Sequence, residues 1–366
     1  MTTKMNDNTP VSSLRRFPAE WERHDCVLLA WPHEDTDWNY ILDDARRCIG
    51  EIVRVISQEE CVILVGPADL CLPSIREQGF DSRRVRFVDM ETNDTWARDF
   101  GALTVEVDGS LCLLDFKFNG WGLKFAADRD NLITSKLDGL GMFACDVENR
   151  LNFVLEGGSV ESDGDGTLLT TAECLLSPNR NGEWGREEIS DYLSRAFGFT
   201  HQLFLHHGAL LGDDTDSHID TLARLAPSDT ILYCGAGEPD NPNHDELVKM
   251  QEELTTLRTP GGMPYNLIEL PLPDTIEMDG EILPATYANF LITPTRILLP
   301  VYGQAQKDFL ASQVVKVAFP DHEVVPIDCV PLIRQHGSLH CVTMQFPAGT
   351  VAGIENNEWT DTTTLD

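Results

Sequence analysis

An α/β architecture assembled from repeated strand and helix units is what this sequence predicts, and three observations point to it. Short β-branched and apolar runs alternate with amphipathic segments of helical period along the chain, the pattern of interleaved rather than segregated classes. From Asp128 onward the helical segments recur at roughly 60-residue intervals with strands on either side, the spacing of one repeated supersecondary unit. Turn-rich stretches such as SPNRNGEWG and GAGEPDNPNHDE read as loops inside that repeat and not as linkers between domains. The 366 residues are accordingly read as one domain over 1–366, with a core at about 17–350.

The first strand is expected at 26–32, where CVLLAWP is apolar, followed by a helix from Asp37 through DWNYILDDARRCIGEIVRVISQ. A strand at 61–66, a shorter helix over 68–78 and a strand at 85–90 come next. Strands at 102–107 and 111–116 precede the helix opening at Asp128 (DRDNLITSKLDGLG), and strands at 151–155 and 167–171 precede the one at Arg186 (REEISDYLSRAFG). Strands at 202–206 and 230–234 lead to the helix at Asp245 (DELVKMQEELTTLR). Strands at 266–270, 290–293 and 296–301, a helix from Lys307 (KDFLASQVVKVAF) and a strand at 323–327 complete the series. Several of these helices open near an acidic residue, as the positive end of the helix dipole favours. After Ile354 the chain turns acidic and Thr-rich, a frayed end by composition.

Sixty acidic against 27 basic residues leave a formal charge of -33, which repels nucleic-acid backbones and anionic lipid headgroups. Neither nucleic acid nor a membrane is therefore an expected partner. The same field favours cationic ligands, although a solvating acidic surface accounts for it equally well. The N-terminal stretch MTTKMNDNTPVSSLRRF has no apolar h-region, and nowhere do about 18 apolar residues run together, so a soluble, cytoplasmic protein is expected. Ten cysteines lie singly with no CxxC pair and are read as reduced, buried thiols with one exception, Cys341. Composition leaves a homo-oligomer open.

Four short stretches could carry chemistry. In LIRQHGSLHCVTMQFP, Cys341 follows a Gly-Ser turn, the exposed setting a nucleophile needs, although a small buried cysteine beside a strand has the same look. In GDDTDSHIDTLARLAP, His218 and Asp220 are two apart, so an extended segment would project both to one face. Asp213, Asp214 and Asp216 crowd that loop and repel one another unless a cation, metal or organic, lies among them. An EF-hand calcium loop fails there, because counting from Asp213 puts His218 where Gly belongs and Arg224 where Glu belongs; a solvated acidic loop stays open. In NDTWARDFG, Trp96 and Asp99 are three apart beside Arg98 in an expected strand-to-strand loop, which alone means little. In LNFVLEGGSVESDGDGTLL, Glu156 ends an apolar strand before Gly157-Gly158, where the backbone can turn sharply or approach a ligand. An ionisable group there is either paired or functional.

Taken in order, WARDFG, LEGGSV, DDTDSHID and GSLHC, with FPAEWERHDCVLLAWPHEDTDW near the start and FKFNGWGLKF after Asp115, resemble a known family. It is that of the agmatine deiminases and the related bacterial peptidylarginine deiminases, and the resemblance runs from about Phe17 to Pro347. It implies a pentein fold, an α/β propeller of five ββαβ units around a pseudo-fivefold axis, as a single catalytic domain with the active site in the central channel. It implies Cys341 as nucleophile, His218 and Glu156 in acid-base and substrate-holding roles, and Asp99 and Asp220 as carboxylates gripping a guanidinium. Asp214, Trp96 and Trp121 fall at positions that look like substrate-pocket residues, and neither a cofactor nor a metal is implied. Where many relatives carry a run of glycines ahead of the nucleophile, this chain has Gln335-His336-Gly337-Ser338, which bears on the substrate more than on the reaction.

The reaction so implied is hydrolysis of agmatine to N-carbamoylputrescine and ammonia through an amidino-cysteine intermediate, a step of putrescine and polyamine synthesis. Peptidyl-arginine or another guanidine is the alternative substrate, and a non-catalytic pentein binding module the alternative class. A guanidinium carbon is a poor electrophile that needs a thiolate and firm positioning, and two carboxylates can each accept a pair of its N–H bonds. The nearby acids are expected to raise the Cys341 pKa, with the substrate's cation and a protonated His218 making up the difference. Dicationic agmatine suits an acidic, aromatic pocket, whereas arginine's carboxylate would want a base, for which the motif stretches offer chiefly Arg98 and Arg334.

Overall fold

The run CVILVG sets one layer of the molecule. Every residue of strand Cys61–Gly66 is buried, because helix Leu42–Ile56 lays Ala45, Ile49, Ile52, Val53 and Ile56 towards the sheet that contains it. In that sheet Met344–Pro347 pairs antiparallel with His24–Ala30, which runs parallel to Cys61–Gly66, itself parallel to Val85–Asp89. A parallel step needs a crossover, and helices Leu42–Ile56 and Ala68–Gln78 supply the two. The computed structural model describes residues 14–354; the tail after Ile354 and most of the polar N-terminal stretch lie outside the described residues.

The same order recurs. Leu103–Val107 is antiparallel to Ser110–Lys117, which crosses through helix Ile133–Gly139 to the parallel strand Asp146–Val154. Glu161–Ser162, Thr167–Thr171 and His201–Leu205 repeat it around helix Arg186–Phe197. So do Ala223–Ala226, Thr230–Cys234 and Asn266–Leu270 around His244–Thr256. Leu291–Ile292, Arg296–Val301 and Glu323–Asp328 do the same around Ala305–Ala318. A separate hairpin joins Ile276–Met278 to Glu281–Leu283, and among the described residues no sheet closes on itself. The fold is thus mixed α/β in separate small sheets. In each of the larger ones, the loop entering the first strand carries residues of the site described below: Asp99, Glu156, His218 with Asp220, Asn289, and Cys341.

All thirteen expected strands occur, half of their ends exact and the others shifted by a residue or two, except that Asp146–Val154 starts well ahead of its expected 151. The unexpected strands are informative. Arg15–Arg16 and Glu161–Ser162 are two residues long and charged, so they lack an apolar alternation to read. Ala223–Ala226 reads ARLA, poor in β-branched residues, and is a strand because its neighbours bury all four positions. The first helix begins later than expected: Asn39–Ile41 is a 3-10 turn, and Asp37 stands outside both elements. All ten cysteines are free and nine are buried, Cys145 being half-buried. Among the described residues no helix is long and apolar enough to cross a membrane.

Candidate active site

Asp99 lies not in an open loop but in a single helical turn, Ala97–Phe100, whose Arg98 N–H donates to the carbonyl of Cys341 at 3.1 Å. This ties the WARDFG stretch to the nucleophile's own backbone. Asp99 Oδ2 accepts from Trp121 Nε1 at 2.9 Å and Oδ1 from the Gly158 N–H at 3.1 Å. Trp121 is held with φ 54°, a left-handed conformation that costs a bulky residue about 1–2 kcal/mol. Asn119 offsets that strain by capping the turn through the Gly122 N–H, 2.9 Å, and the ring is wedged against Phe118, Trp96 and Phe125.

His218 and Asp220 do not share a face of an extended segment as their spacing suggested. His218 caps a one-turn 3-10 helix, Ile219–Thr221, closed by the Thr221 hydroxyl on the His218 carbonyl at 2.8 Å, and Asp220 lies inside it. The two side chains still converge, and Gly158 marks the point. A Cβ there would stand 2.5 Å from His218 Nδ1, 3.0 Å from an Asp99 oxygen and 3.1 Å from an Asp220 oxygen. Glu156 faces the other ring nitrogen, 4.0 Å from His218 Nε2, and is fixed by Arg180, whose Nε lies 3.0 and 2.8 Å from its two oxygens. Both ring nitrogens of His218 and one oxygen of Asp220 are buried without a hydrogen-bond partner, the condition of groups that await a ligand.

The three loop carboxylates are separated by function within the loop. Asp213 braces it, accepting from the Thr215 hydroxyl at 2.6 Å and the Ser217 N–H at 2.7 Å. Asp216 is paired with Arg180 at 2.5 Å and Lys124 at 2.6 Å, so protein cations, not a metal, relieve the repulsion. Asp214 is more exposed than Asp216, 44% against 25% at the side chain, and lies 4.0 Å from His336 Nδ1. Glu156, Cys174 and His218 bring ligand atoms within 4.8 Å of one another, a set able to hold a metal, but the positive charge beside Glu156 is already that of Arg180.

Cys341 was expected on an exposed turn and is instead 4% exposed. Its Sγ lies 3.4 Å from Asn289 Oδ1, which also accepts the His340 N–H at 2.9 Å. Burial, reinforced by Asp220 and Asp99, pushes the Cys341 thiol well above its ordinary value. Burial likewise raises Asp99, with Asp220 and Glu156 adding to it, and raises Glu156 even against Arg180. Asp220 is the exception: burial pushes it up, but the hydrogen bond and charge of His340 outweigh that and hold it below the usual carboxylate range. His218 is pushed down to about 3 by burial, so the imidazole of the free site is neutral; the protonated ring expected from sequence belongs to the substrate-bound state.

Above these groups opens a cavity of about 160 Å³ that reaches Cys341 and Asp99. Trp96 and Trp121 wall it with Phe125, and Asp214 joins Asp37 and Asp94 in its lining, so all three expected pocket residues face it. Burial raises Asp94 to about 6. The Gln335–Gly337 stretch closes one side, with Gly337 so near Trp96 that a Cβ would come within 2.2 Å of the ring. Sequence reasoning did not single out Asn289, Arg180, Asp37 or Asp94, and gave His340 no role. Arg180 sits in a stretch that reads only as a loop, and Asn289 in an apolar approach to a strand, so neither spacing nor composition flags them.

A family model described as Porphyromonas-type peptidyl-arginine deiminase matches residues 16–347. A structure from Porphyromonas gingivalis, provisionally assigned as an arginine deiminase, is 46% identical with a TM-score of 0.85, covering 92% of this chain and 99% of that one. A substrate-bound variant of C. jejuni agmatine deiminase is 34% identical with a TM-score of 0.86, covering 93% and 98%. The agmatine deiminase of Stutzerimonas stutzeri is 30% identical over 365 residues, 93% of this chain and 98% of that protein.

Two outcomes follow from this geometry. Thiolate absorbance of the free protein, taken as the difference from Cys341→Ala, should appear only above the ordinary thiol value of about 8.5; full ionisation at neutral pH would contradict the burial argument. Gly158→Ala should fill the gap between His218, Asp99 and Asp220, weakening calorimetric binding of a non-reacting guanidine by about 100-fold. Unchanged affinity would mean that no ligand enters there.

Proposed function

Because the chain belongs to the Porphyromonas-type peptidyl-arginine deiminase family, we propose that it is an agmatine deiminase, a hydrolase acting on the C–N bond of a linear amidine with Cys341 as nucleophile. One observation carries the choice of agmatine. The cavity ending at Cys341 and Asp99 is lined by Asp37, Asp94, Asp214, three aromatic rings and His336, and among the described residues by no lysine or arginine. A ligand with a guanidinium at one end and an ammonium at the other suits that lining at both ends. Free arginine would bring a carboxylate to these acids. Arg98 could not help it, being turned behind the site onto the His340 carbonyl at 3.4 Å, and Arg334 lies over the Tyr40 ring at 5.1 Å. A recess of about 380 Å³ that shares Asp37, Asp94, Trp121 and Phe125 with the cavity gives the peptidyl-arginine reading its one support, as room for flanking residues.

The recurrent sheet order, with a site residue on each entering loop, supports one catalytic domain of the pentein type. In this reading five ββαβ units surround a pseudo-fivefold axis and the site occupies the central channel. The guanidinium docks between Asp99 and Asp220, each accepting N–H bonds in its plane and fixing its carbon before the sulfur. Its charge lowers the cost of ionising Cys341, and the proton passes to the neutral His218. Sulfur attacks the carbon, the C–N bond breaks, and His218 returns the proton to the departing nitrogen, so ammonia leaves and an amidino-cysteine remains. Water then adds with its proton taken by His218, and collapse expels the Cys341 sulfur and leaves the ureido product. Glu156, held by Arg180, orients the face of His218 away from Asp99.

Ammonia release from agmatine, arginine and an internal peptidyl-arginine, measured side by side, should favour agmatine, with Cys341→Ala at least about 1,000-fold slower. Turnover of the peptide alone would move the substrate assignment, and equal rates with Cys341→Ala would end the nucleophile assignment. A non-reacting guanidine should shift the thiolate titration to lower pH, since the added cation favours the anion; an unchanged midpoint would remove substrate assistance from the mechanism.

A further inference from the structure

The FPAEWERHD stretch carries a glutamate that the reaction does not use and that the fold places directly behind the site. Glu20 is almost wholly buried, 8% exposed at its side chain, and belongs to the segment entering strand His24–Ala30. Its Oε2 lies 2.8 Å from His340 Nε2 and 2.6 Å from an Arg224 nitrogen, and its Oε1 accepts the Ile292 N–H at 2.8 Å. The other nitrogen of His340 lies 2.7 Å from Asp220 Oδ2. Behind Glu20, Arg224 pairs with Glu161 and donates to the Ala288 and Phe290 carbonyls. The result is a dry row of alternating charge: Asp220, His340, Glu20, Arg224, Glu161.

We propose that Glu20 is a positioning residue that acts through His340 to fix Asp220 for the substrate guanidinium. This rests on the reading that Asp220 grips that group. The argument is one of donors and acceptors. Arg224 and His340 hold Glu20 well below the usual carboxylate range despite its burial, and Asp220 is lowered as well, so both carboxylates are anions and neither can donate. His340 is held between the two acids, with Nδ1 on Asp220 Oδ2 and Nε2 shared by Glu20 and by Arg224, whose nitrogen lies 3.3 Å away, so its seat at Glu20 sets how the ring meets Asp220.

The consequence is an asymmetry between the two gripping carboxylates. Asp99 has the neutral donors Trp121 and Gly158, whereas Asp220 has His340 on Oδ2 and leaves Oδ1 buried without a hydrogen-bond partner. Asp220 is therefore the anion ready before the substrate arrives. His340 also precedes Cys341 in the chain and binds Asn289 Oδ1 through its N–H, so the same anchor sets the backbone of the nucleophile.

Nitrogen NMR of the histidine rings in folded Cys341→Ala should show a His340 Nδ1 proton hydrogen-bonded to Asp220, and a ring with no proton on Nδ1 would overturn the proposal. This measurement needs no turnover, so its failure is distinct from failure of the substrate assignment. In otherwise active protein, Glu20→Gln should raise KM for agmatine about tenfold or more with kcat changed by less than about threefold. Glu161→Gln, which has no hydrogen bond to His340 and meets it only through Arg224, should lower Tm and leave KM far less changed than Glu20→Gln does. If Glu20→Gln lowers Tm with KM intact, or if Glu161→Gln raises KM equally, Glu20 is structural only; if Glu20→Gln does not fold, the ring measurement decides.

Discussion

Carboxylates crowded beside a thiol at the buried end of a cavity set the terms for the rest of this molecule. Asp99, Asp220 and Glu156 are each 3% exposed or less, and a buried anion is tolerated only with a partner. Each has a different one. Glu156 has a guanidinium across both oxygens, Asp220 has a histidine anchored by a further acid, and Asp99 has an indole and a backbone N–H. The set is short of positive charge where Asp99, Asp220 and Cys341 meet, and on the proposed reading a cationic ligand supplies it. Binding and activation would then be one event, because the ligand's charge would also stabilise the thiolate.

Such an arrangement needs donors from distant parts of the chain held to within a fraction of an ångström, which is why the site rides on strand-entering loops. A short sheet clamped by a crossover helix is stiff, and each one aims a single loop. Cross-ties then join the loops to one another: Arg98 N–H to the Cys341 carbonyl, Gly158 N–H to Asp99, Asn289 Oδ1 to His340. The left-handed Trp121 is the most strained member, and it sits where Asp99, Trp96 and Phe118 over-determine it.

Alternating apolar runs and helical periods made the strand and helix order legible, because those elements bury one face or both. Two-residue strands such as Arg15–Arg16 were not, since pairing alone defines them. In the site, Cys341, His218, Glu156, Asp99 and Asp220 were singled out through motif resemblance; the structure sets His218, Asp99 and Asp220 about Gly158, with Glu156 4.0 Å from His218 Nε2 and Cys341 lining the cavity beside Asp99. The supporting groups were not. Arg180, Asn289 and Glu20 act across long sequence separations, for example Glu20 with Arg224, and nothing local marks such a residue. Protonation was the least legible property: the neutral state of His218 follows from complete burial, which spacing cannot reveal.

Selectivity follows from what the cavity withholds as much as from what it offers. A guanidinium alone would satisfy Asp99 and Asp220, so discrimination must come from the far end, where acids repel a carboxylate and attract an ammonium. The aromatic walls add a face for the cation and exclude water, which strengthens that contrast. The wall itself depends on the stretch that departs from the glycine run of many relatives. Gly337 leaves no room for a Cβ against Trp96, and His336, in a left-handed turn, lies 2.7 Å from the Gly212 carbonyl through Nδ1. A loop of plain glycines could take many shapes there, whereas this one is pinned to the rim that bears Asp214. On the proposed reading the departure bears on which ligand is held, and through the Ser338 backbone, hydrogen-bonded to Cys341, it also reaches the thiol.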